Sequence, residues 1–123
     1  MKLARYERDG DVRLGLVEGE EIVDLTAGGL TYPTMMALIA AGDAGLAAVR
    51  MCSRETRHPL ADVRLLAPVE RPGKYLGIGM NYQKHLEEAD RQGVPRSAKP
   101  VWFNKQTTCL SGLSDPIDPG VTE

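Results

Sequence analysis

A histidine and a glutamate, His85 and Glu88, stand three positions apart in a stretch of strong helix formers. On an α-helix this spacing places the two side chains on one face. A carboxylate beside an imidazole stabilises the imidazolium ion and fixes the tautomer of the ring. The pair is therefore a candidate general base that removes a proton from water. A surface ion pair has the same spacing and is the commoner explanation for it.

The segment before this pair has the features of a strand that turns into a helix. An apolar strand is expected over 74–79, with Gly77 and Gly79 in it, and a helix over 80–90. Glycines permit close approach of the backbone, and the N–H groups at a helix start favour anions. A dinucleotide-binding fingerprint is excluded, because Tyr82 stands where its third glycine is needed.

The first 70 residues predict a small antiparallel domain with two helices. Alternating apolar and polar residues, separated by turn residues, favour strands over 2–6, 12–17, 21–25 and 63–66. Helices are expected over 34–41, with Thr34 as the cap, and over 43–53. Turn residues cluster at 70–73, so the predicted domains are 1–70 and 71–123. The predicted fold class is α+β.

Composition excludes several classes of protein. The chain of 123 residues has a net charge of -2, with 42% hydrophobic and 26% charged residues, which is a globular balance and gives no reason to expect nucleic acid or membrane as a partner. The first ten residues lack the apolar core of a secretory signal. The two cysteines, Cys52 and Cys109, lack the spacing of a zinc site or a disulfide framework. A cytoplasmic location is expected.

Three ordered motifs resemble the fumarylacetoacetate hydrolase family. Residues 74–88 are similar to the family's apolar strand followed by Gly-x-Asn-Tyr, two residues, His, and Glu three positions later. Residues 100–105 resemble its Pro-x-x-Phe-x-Lys strand, and 111–117 resemble its small-residue loop that ends in Asp-x-Ile. The resemblance covers 74–119, and 1–70 is similar to the family's small leading domain. Leu113 departs from the proline that members commonly have there.

The resemblance implies a fold and a cofactor. The small antiparallel leading domain would be followed by the start of a mostly β fumarylacetoacetase-like β-roll domain. Members bind Mg²⁺ or Mn²⁺ through a Glu-x-Glu pair and a later Asp, which would lie beyond Glu123. No metal ligand is expected within this chain, because the pairs Glu20-Glu21 and Glu87-Glu88 lack that spacing and position.

The resemblance also implies a reaction. The complete protein would be a metal-dependent hydrolase of acylpyruvate-like or other β-dicarbonyl and 2-oxo acids, acting in the catabolism of aromatic compounds. His85 and Glu88 would activate the water that leads to cleavage of a carbon–carbon bond. Lys105, Tyr82 and Ser111 would contact the substrate, although Lys105 could equally be a structural strand-end lysine and Ser111 a turn hydroxyl.

Other functions stay open at this point. Related members decarboxylate, isomerise or hydrate 2-oxo acids, and the complete protein would be a homodimer. A second class of function is a non-catalytic module for assembly or interaction. The fragment alone is expected to be inactive and marginally stable, because 71–123 by itself can bury little apolar surface.

Overall fold

The computed structural model describes residues 1–117 and Gly120, so that Asp118 and Pro119, the last positions of the motif stretch, lie outside the described residues. The chain divides into two compact units. One is Met1–Glu70 together with the segment that begins at Leu110, and the other is Arg71–Cys109. The predicted domains, 1–70 and 71–123, stay a prediction.

The first unit is built on a five-stranded antiparallel sheet. Its strands are β1 Leu3–Arg8, β2 Asp11–Glu18, β3 Glu21–Asp24, β4 Arg57–Pro59 and β5 Arg64–Leu65, in the spatial order β4-β3-β2-β1-β5. The first turn holds Asp9 at φ 54° and Gly10 at φ 86°. Positive φ at both central residues gives a two-residue hairpin turn the twist that matches its flanking strands. The meander predicted from the sequence is present.

Two helices cover one face of this sheet. They are α1 Met35–Ala40 and α2 Asp43–Met51, and Thr34 caps α1 by accepting a hydrogen bond from the Ala37 N–H at 3.1 Å. Alternation along β2 and β3 directs side chains to this face. The resulting hydrophobic core is formed by Leu14, Leu16, Val23, Leu25, Met35, Leu38, Val49 and Cys52.

Asp24 is fully buried at the end of β3. Its carboxylate accepts hydrogen bonds from the Arg13 guanidinium at 2.8 Å and from the Ala27 N–H at 2.8 Å. Burial alone would raise the pKa of this carboxyl group, but the Ala27 and Arg13 hydrogen bonds outweigh burial and lower the pKa. The ionised carboxylate thus joins β2, β3 and the turn that follows.

His58 lies against this carboxylate. Its position before Pro59 in a polar stretch predicts an exposed loop, and that prediction is wrong, because the residue belongs to β4 and its side chain is only 13% exposed. Its Nδ1 contacts the Arg8 guanidinium, and its Nε2 lies 3.8 Å from the Asp24 carboxylate. Its ring lies 6.3 Å from that of the buried Tyr6. Pairing of β4 with β3 brings these groups together.

Arg5 on β1 fixes the end of the Met1–Glu70 segment of the first unit. Its guanidinium donates to the carbonyl oxygens of Ala67 and Val69 at 2.9 and 3.1 Å, and pairs with Glu70 at 2.8 Å. The Glu70 carboxylate in turn accepts hydrogen bonds from the N–H groups of Met35 and Met36 at the start of α1, each at 3.0 Å. Burial alone would raise the pKa of Glu70, but these hydrogen bonds and the Arg5 charge lower it.

The segment from Leu110 is fastened to β5. Asp115 accepts hydrogen bonds from Arg64 at 2.7 Å and from the Gly112 N–H at 2.6 Å. The Gly112 bond, followed by the Arg64 bond, lowers the pKa of Asp115. A Cβ atom on Gly112 would lie 2.6 Å from the Leu65 carbonyl oxygen, so this close approach requires glycine.

The second unit contains a two-stranded antiparallel ribbon and one helix. The strands are β6 Leu76–Gly79 and β7 Val101–Asn104, the helix is α3 Gln83–Arg91, and a single 3₁₀ turn spans Thr107–Cys109. Gly93, at φ 71°, follows the helix as predicted. The mixed content of the two units confirms the α+β fold class. Within the described part of the chain, no helix has the length and apolar character of a membrane span.

Replacement of Asp24 by asparagine should destabilise the first unit. Loss of the charge at a buried, paired position should lower the free energy of unfolding by about 2–4 kcal/mol. A carboxyl group with a lowered pKa stabilises the fold above its unfolded pKa, near pH 4, and loses that contribution as the pH falls. Urea unfolding between pH 3 and 7 should therefore show that the unfolding free energy of D24N falls less toward acid pH than that of the wild type.

The matched control for this measurement is D62N, because Asp62 is exposed. Its unfolding free energy should stay within about 0.5 kcal/mol of the wild type. Equal unfolding free energies of D24N and D62N would show that the contacts of the Asp24 carboxylate do not stabilise the fold.

Candidate active site

His85 lies in the first turn of α3, on a face open to solvent. The chain leaves β6 at Gly79, passes through Met80 and Asn81, and enters the helix after Tyr82. His85 and Glu88 are both exposed. In the described part of the chain, neither a hydrogen bond nor an ion pair joins their side chains. The helix places the two on one face, as the spacing predicted.

The turn between β6 and α3 depends on an unusual backbone conformation at Met80. Its φ is 55°, in the left-handed region that residues other than glycine seldom adopt. Such conformations cost on the order of 1–3 kcal/mol and often occur at functional sites. This one turns the chain so that the first turn of α3, and with it His85, follows directly after the end of β6.

Gly77 is required by the packing of β6 against β7. The register pairs Gly77 with Phe103 and Gly79 with Val101. A Cβ atom on Gly77 would lie 2.4 Å from the Phe103 ring, whereas one on Gly79 would lie 3.6 Å from the Val101 carbonyl oxygen, an ordinary contact. The first glycine of the Gly-x-Gly pair therefore makes room for an aromatic ring.

A cavity of about 180 Å³ opens where β6 meets α3. Apolar side chains that line it include Ile78, Met80, Leu86 and Val101. Its polar lining residues are Asn81, Ser97 and Lys99. Leu86 of α3 lines this cavity, whereas the residue before it, His85, lies outside the lining.

Lys105 lies beyond the other end of the ribbon. The ladder pairs Gly79 with Val101 near α3 and Leu76 with Asn104 at the far end, and Lys105 donates its backbone N–H to Tyr75 at 2.7 Å. A larger groove of about 490 Å³ opens there, lined by Lys74, Tyr75, Lys105 and Thr107 among others. The Lys105 ammonium sits over the Tyr75 and Phe103 rings, 5.4 and 5.8 Å from their centroids.

The two other predicted substrate contacts lie in different units. Tyr82 precedes α3 and its side chain is 76% exposed. Ser111 belongs to the first unit and is exposed, next to the Gly112 that donates to Asp115. Their roles toward substrate stay predictions.

Charged side chains fix the helix and the loop after it. Gln83 donates to the Glu87 carboxylate at 2.9 Å, one turn along α3. Arg96 donates its Nε–H and one terminal N–H to the two carboxylate oxygens of Asp90 and lowers the pKa of that carboxyl group. The loop that leads from α3 to Lys99 is thereby tied to the helix end.

No group of three or more His, Cys, Asp or Glu residues in the described part of the chain is placed to hold a metal ion. The described residues therefore do not fit a divalent cation by themselves.

Two expectations from residue type are wrong in this region. Neighbouring strand residues point to opposite faces, which predicts one of Trp102 and Phe103 in a core and the other over a pocket or interface, but both are exposed, by 61% and 45%. A cysteine is usually buried, but Cys109 is exposed. The left-handed backbone at Met80 has no signal in the residue spacing.

Comparison with known proteins finds relatives that match nearly the whole of this chain. No family model matches the chain. It is 38% identical over 120 residues to a protein of Burkholderia multivorans named as a hydrolase, covering 96% of this chain and 40% of that protein. It is 35% identical over 124 residues to the mitochondrial oxaloacetate tautomerase fahd2 of Xenopus laevis, covering 95% of this chain and 38% of that protein.

Two solved structures are similar in fold and sequence. Maleylpyruvate hydrolase from Sphingobium sp. SYK-6, in complex with manganese(II) and pyruvate, matches with a TM-score of 0.62 and 32% identity, over 95% of this chain and 41% of that one. Fumarylacetoacetate hydrolase from Exiguobacterium antarcticum matches with a TM-score of 0.65 and 31% identity, over 96% and 40%.

The relatives and solved structures that the chain matches include proteins named as hydrolases. The chain spans about two fifths of the length of the curated relatives it matches. Over nearly its whole length the chain matches part of proteins such as fumarylacetoacetate hydrolase and maleylpyruvate hydrolase in both sequence and fold. The resemblance found in the sequence motifs is confirmed.

Alanine substitutions at the two glycines of β6 should separate their roles. G77A forces the Phe103 ring to move and should lower the free energy of unfolding by about 1–2 kcal/mol. G79A has ordinary space for its Cβ atom and should change stability by less than about 0.5 kcal/mol. Thermal and urea unfolding would measure both values. Equal effects of the two substitutions would contradict the close contact between Gly77 and Phe103.

Proposed function

We propose that the complete protein is a divalent-metal-dependent hydrolase that cleaves a carbon–carbon bond in acylpyruvate-like or other β-dicarbonyl and 2-oxo acids. The observation that carries this proposal is the place of His85, exposed in the first turn of α3 with Glu88 on the same face. The similarity to maleylpyruvate hydrolase supports the class of substrate. The manganese ion in that neighbour supports a divalent cation, either Mg²⁺ or Mn²⁺.

His85 is proposed to act as the general base. Its imidazole removes a proton from water, and the hydroxide attacks the carbonyl carbon distal to the acid group. The electrons of the adjacent carbon–carbon bond pass to the departing carbon as an enolate, which is then protonated. A divalent cation, held by residues other than those described here, would supply charge stabilisation for such an enolate.

Glu88 is proposed to orient and support the histidine. The two side chains share one face of α3 and are both free of hydrogen bonds to other described residues, so rotamer changes can bring them together. A carboxylate near the ring favours the imidazolium ion that forms when the water proton is taken. Tyr82, Lys105 and Ser111 remain proposed substrate contacts.

Replacement of His85 by alanine in the full-length protein should abolish most of the activity. Loss of a general base lowers kcat by about two to four orders of magnitude. Steady-state kinetics with maleylpyruvate or an acylpyruvate would measure it. A kcat within about threefold of the wild type would exclude His85 as the base.

Adjacent carboxylates offer a matched control. E88Q should lower kcat by about tenfold or more, since the imidazolium loses its charged partner. E87Q removes only the bond to Gln83 and should leave kcat close to that of the wild type. If E87Q and E88Q have the same effect, Glu88 has no special role.

A second candidate reaction is the tautomerisation of a 2-oxo acid. The similarity to the oxaloacetate tautomerase of Xenopus laevis favours it. A base such as His85 could move a proton between carbon and oxygen without adding water. Parallel assays of enol-oxaloacetate conversion and acylpyruvate cleavage would decide, because a tautomerase should accelerate the first reaction and leave the carbon–carbon bond of the second intact.

The remaining alternatives concern the oligomeric state, the cellular location and a non-catalytic role. A homodimer and a cytoplasmic location stay predictions, and so does the reading of this chain as a non-catalytic module. Specific binding of Mg²⁺ or Mn²⁺ by the full-length protein would favour the enzyme. Its absence, together with the absence of both activities, would favour the module.

A further inference from the structure

Ser111, a proposed substrate contact, directly precedes a glycine whose backbone is held by a carboxylate. The Gly112 N–H donates to the Oδ2 atom of Asp115 at 2.6 Å. The peptide group between Ser111 and Gly112 is planar, so a fixed N–H also fixes the carbonyl group of Ser111. This hydrogen bond therefore limits the orientation of the backbone from which the Ser111 hydroxyl projects.

The Asp115 carboxylate can orient this turn only if it is itself held in place. Arg64 on β5 holds it, because its Nε–H and one terminal N–H donate to the Oδ1 atom at 3.1 and 2.7 Å. Both bonds reach one carboxylate oxygen, and the other oxygen accepts from the Gly112 N–H. The two oxygens thus have different partners, and the carboxylate connects β5 to the turn.

The Arg64 guanidinium is oriented from its other side by Glu7. Its Nη1 atom donates to the Glu7 carboxylate at 3.0 Å, and the pairing of β1 with β5 places the two residues opposite each other. Because a guanidinium is planar and rigid, bonds on both sides fix its direction. The Arg64 side chain is 55% exposed, and an exposed ion pair adds little stability. The arrangement is therefore better suited to orienting the turn than to stabilising the fold.

The same turn lies directly against the backbone of β5. A Cβ atom on Gly112 would come within 2.6 Å of the Leu65 carbonyl oxygen, so the turn already lies as close as a glycine allows. The backbone of Leu65 and the side chain of Arg64 therefore restrict the turn together.

We propose that Arg64 is a positioning residue that orients the Ser111 hydroxyl toward the substrate, acting through Asp115 and Gly112. The assignment rests on the proposed function, in which Ser111 contacts the substrate. It gives β5 of the first unit a role in substrate affinity, although the Arg64 side chain itself makes no contact with the substrate.

A double-mutant cycle in the full-length protein tests the assignment, by steady-state kinetics with an acylpyruvate at saturating Mn²⁺. S111A should raise KM by about 3- to 10-fold, the effect of one hydrogen bond between uncharged groups. R64M should raise KM by about the same factor and leave kcat unchanged, because only binding common to the ground and transition states is lost. In the S111A background, R64M should raise KM no further.

Three further variants separate positioning from stability. R57M is the matched control, because Arg57 is also paired with glutamates and lies on β4, the opposite edge strand of the same sheet. Its KM should equal that of the wild type. D115N breaks the same connection at its other end and should raise KM as R64M does, whereas R64K keeps the charge and should recover part of the affinity. Loss of folded protein would lower the apparent kcat and leave KM unchanged.

Three results would overturn the assignment: equal KM values for R64M and R57M, effects of R64M and S111A on KM that multiply, or an unchanged KM in S111A. Failure of the proposed function differs from these, because the wild type would then convert neither acylpyruvates nor enol-oxaloacetate, and both proposals would be wrong. With an active wild type, the three results count against the role of Arg64 alone.

Discussion

The buried carboxylate of Asp24 is the constraint on which the first unit depends. A charge with no exposure to water is tolerated only where hydrogen bonds and opposite charge compensate for lost hydration. Arg13 on β2 and the Ala27 N–H after β3 supply that compensation, and the His58 ring on β4 lies 3.8 Å away. Two neighbouring strands and one turn are thus tied to a single group, while the opposite face of the same strands carries the hydrophobic core.

Local patterns predicted most of the first unit because its signals are short-range. The Asp9-Gly10 turn and the Thr34 cap each act over a few residues, and the structure has both. The short strand β4 and the burial of His58 could not be predicted in the same way. They depend on Asp24, which is 34 positions away in the sequence and meets His58 only after β3 and β4 pair.

In the second unit, the sequence predicted the helix face but not what surrounds it. The shared face of His85 and Glu88 follows from helical periodicity alone. The place of Lys105 at the end of the ribbon away from α3 follows instead from the antiparallel register of β6 with β7. Phe103 is exposed although it is aromatic, because its ring packs over Gly77 and covers only one strand.

Glu70 has a consequence for how tension would pass through the chain. β5 is only two residues long, so a force applied beyond Arg71 would easily separate it from the sheet if β5 were the last attachment. Glu70 lies nearer to the point of force and would bear it first, since its carboxylate is bonded to the start of α1 and to Arg5 on β1. A pull on the connecting segment is therefore shared between helix and sheet, and the first unit should resist mechanical unravelling from this end until the Glu70 anchor is broken.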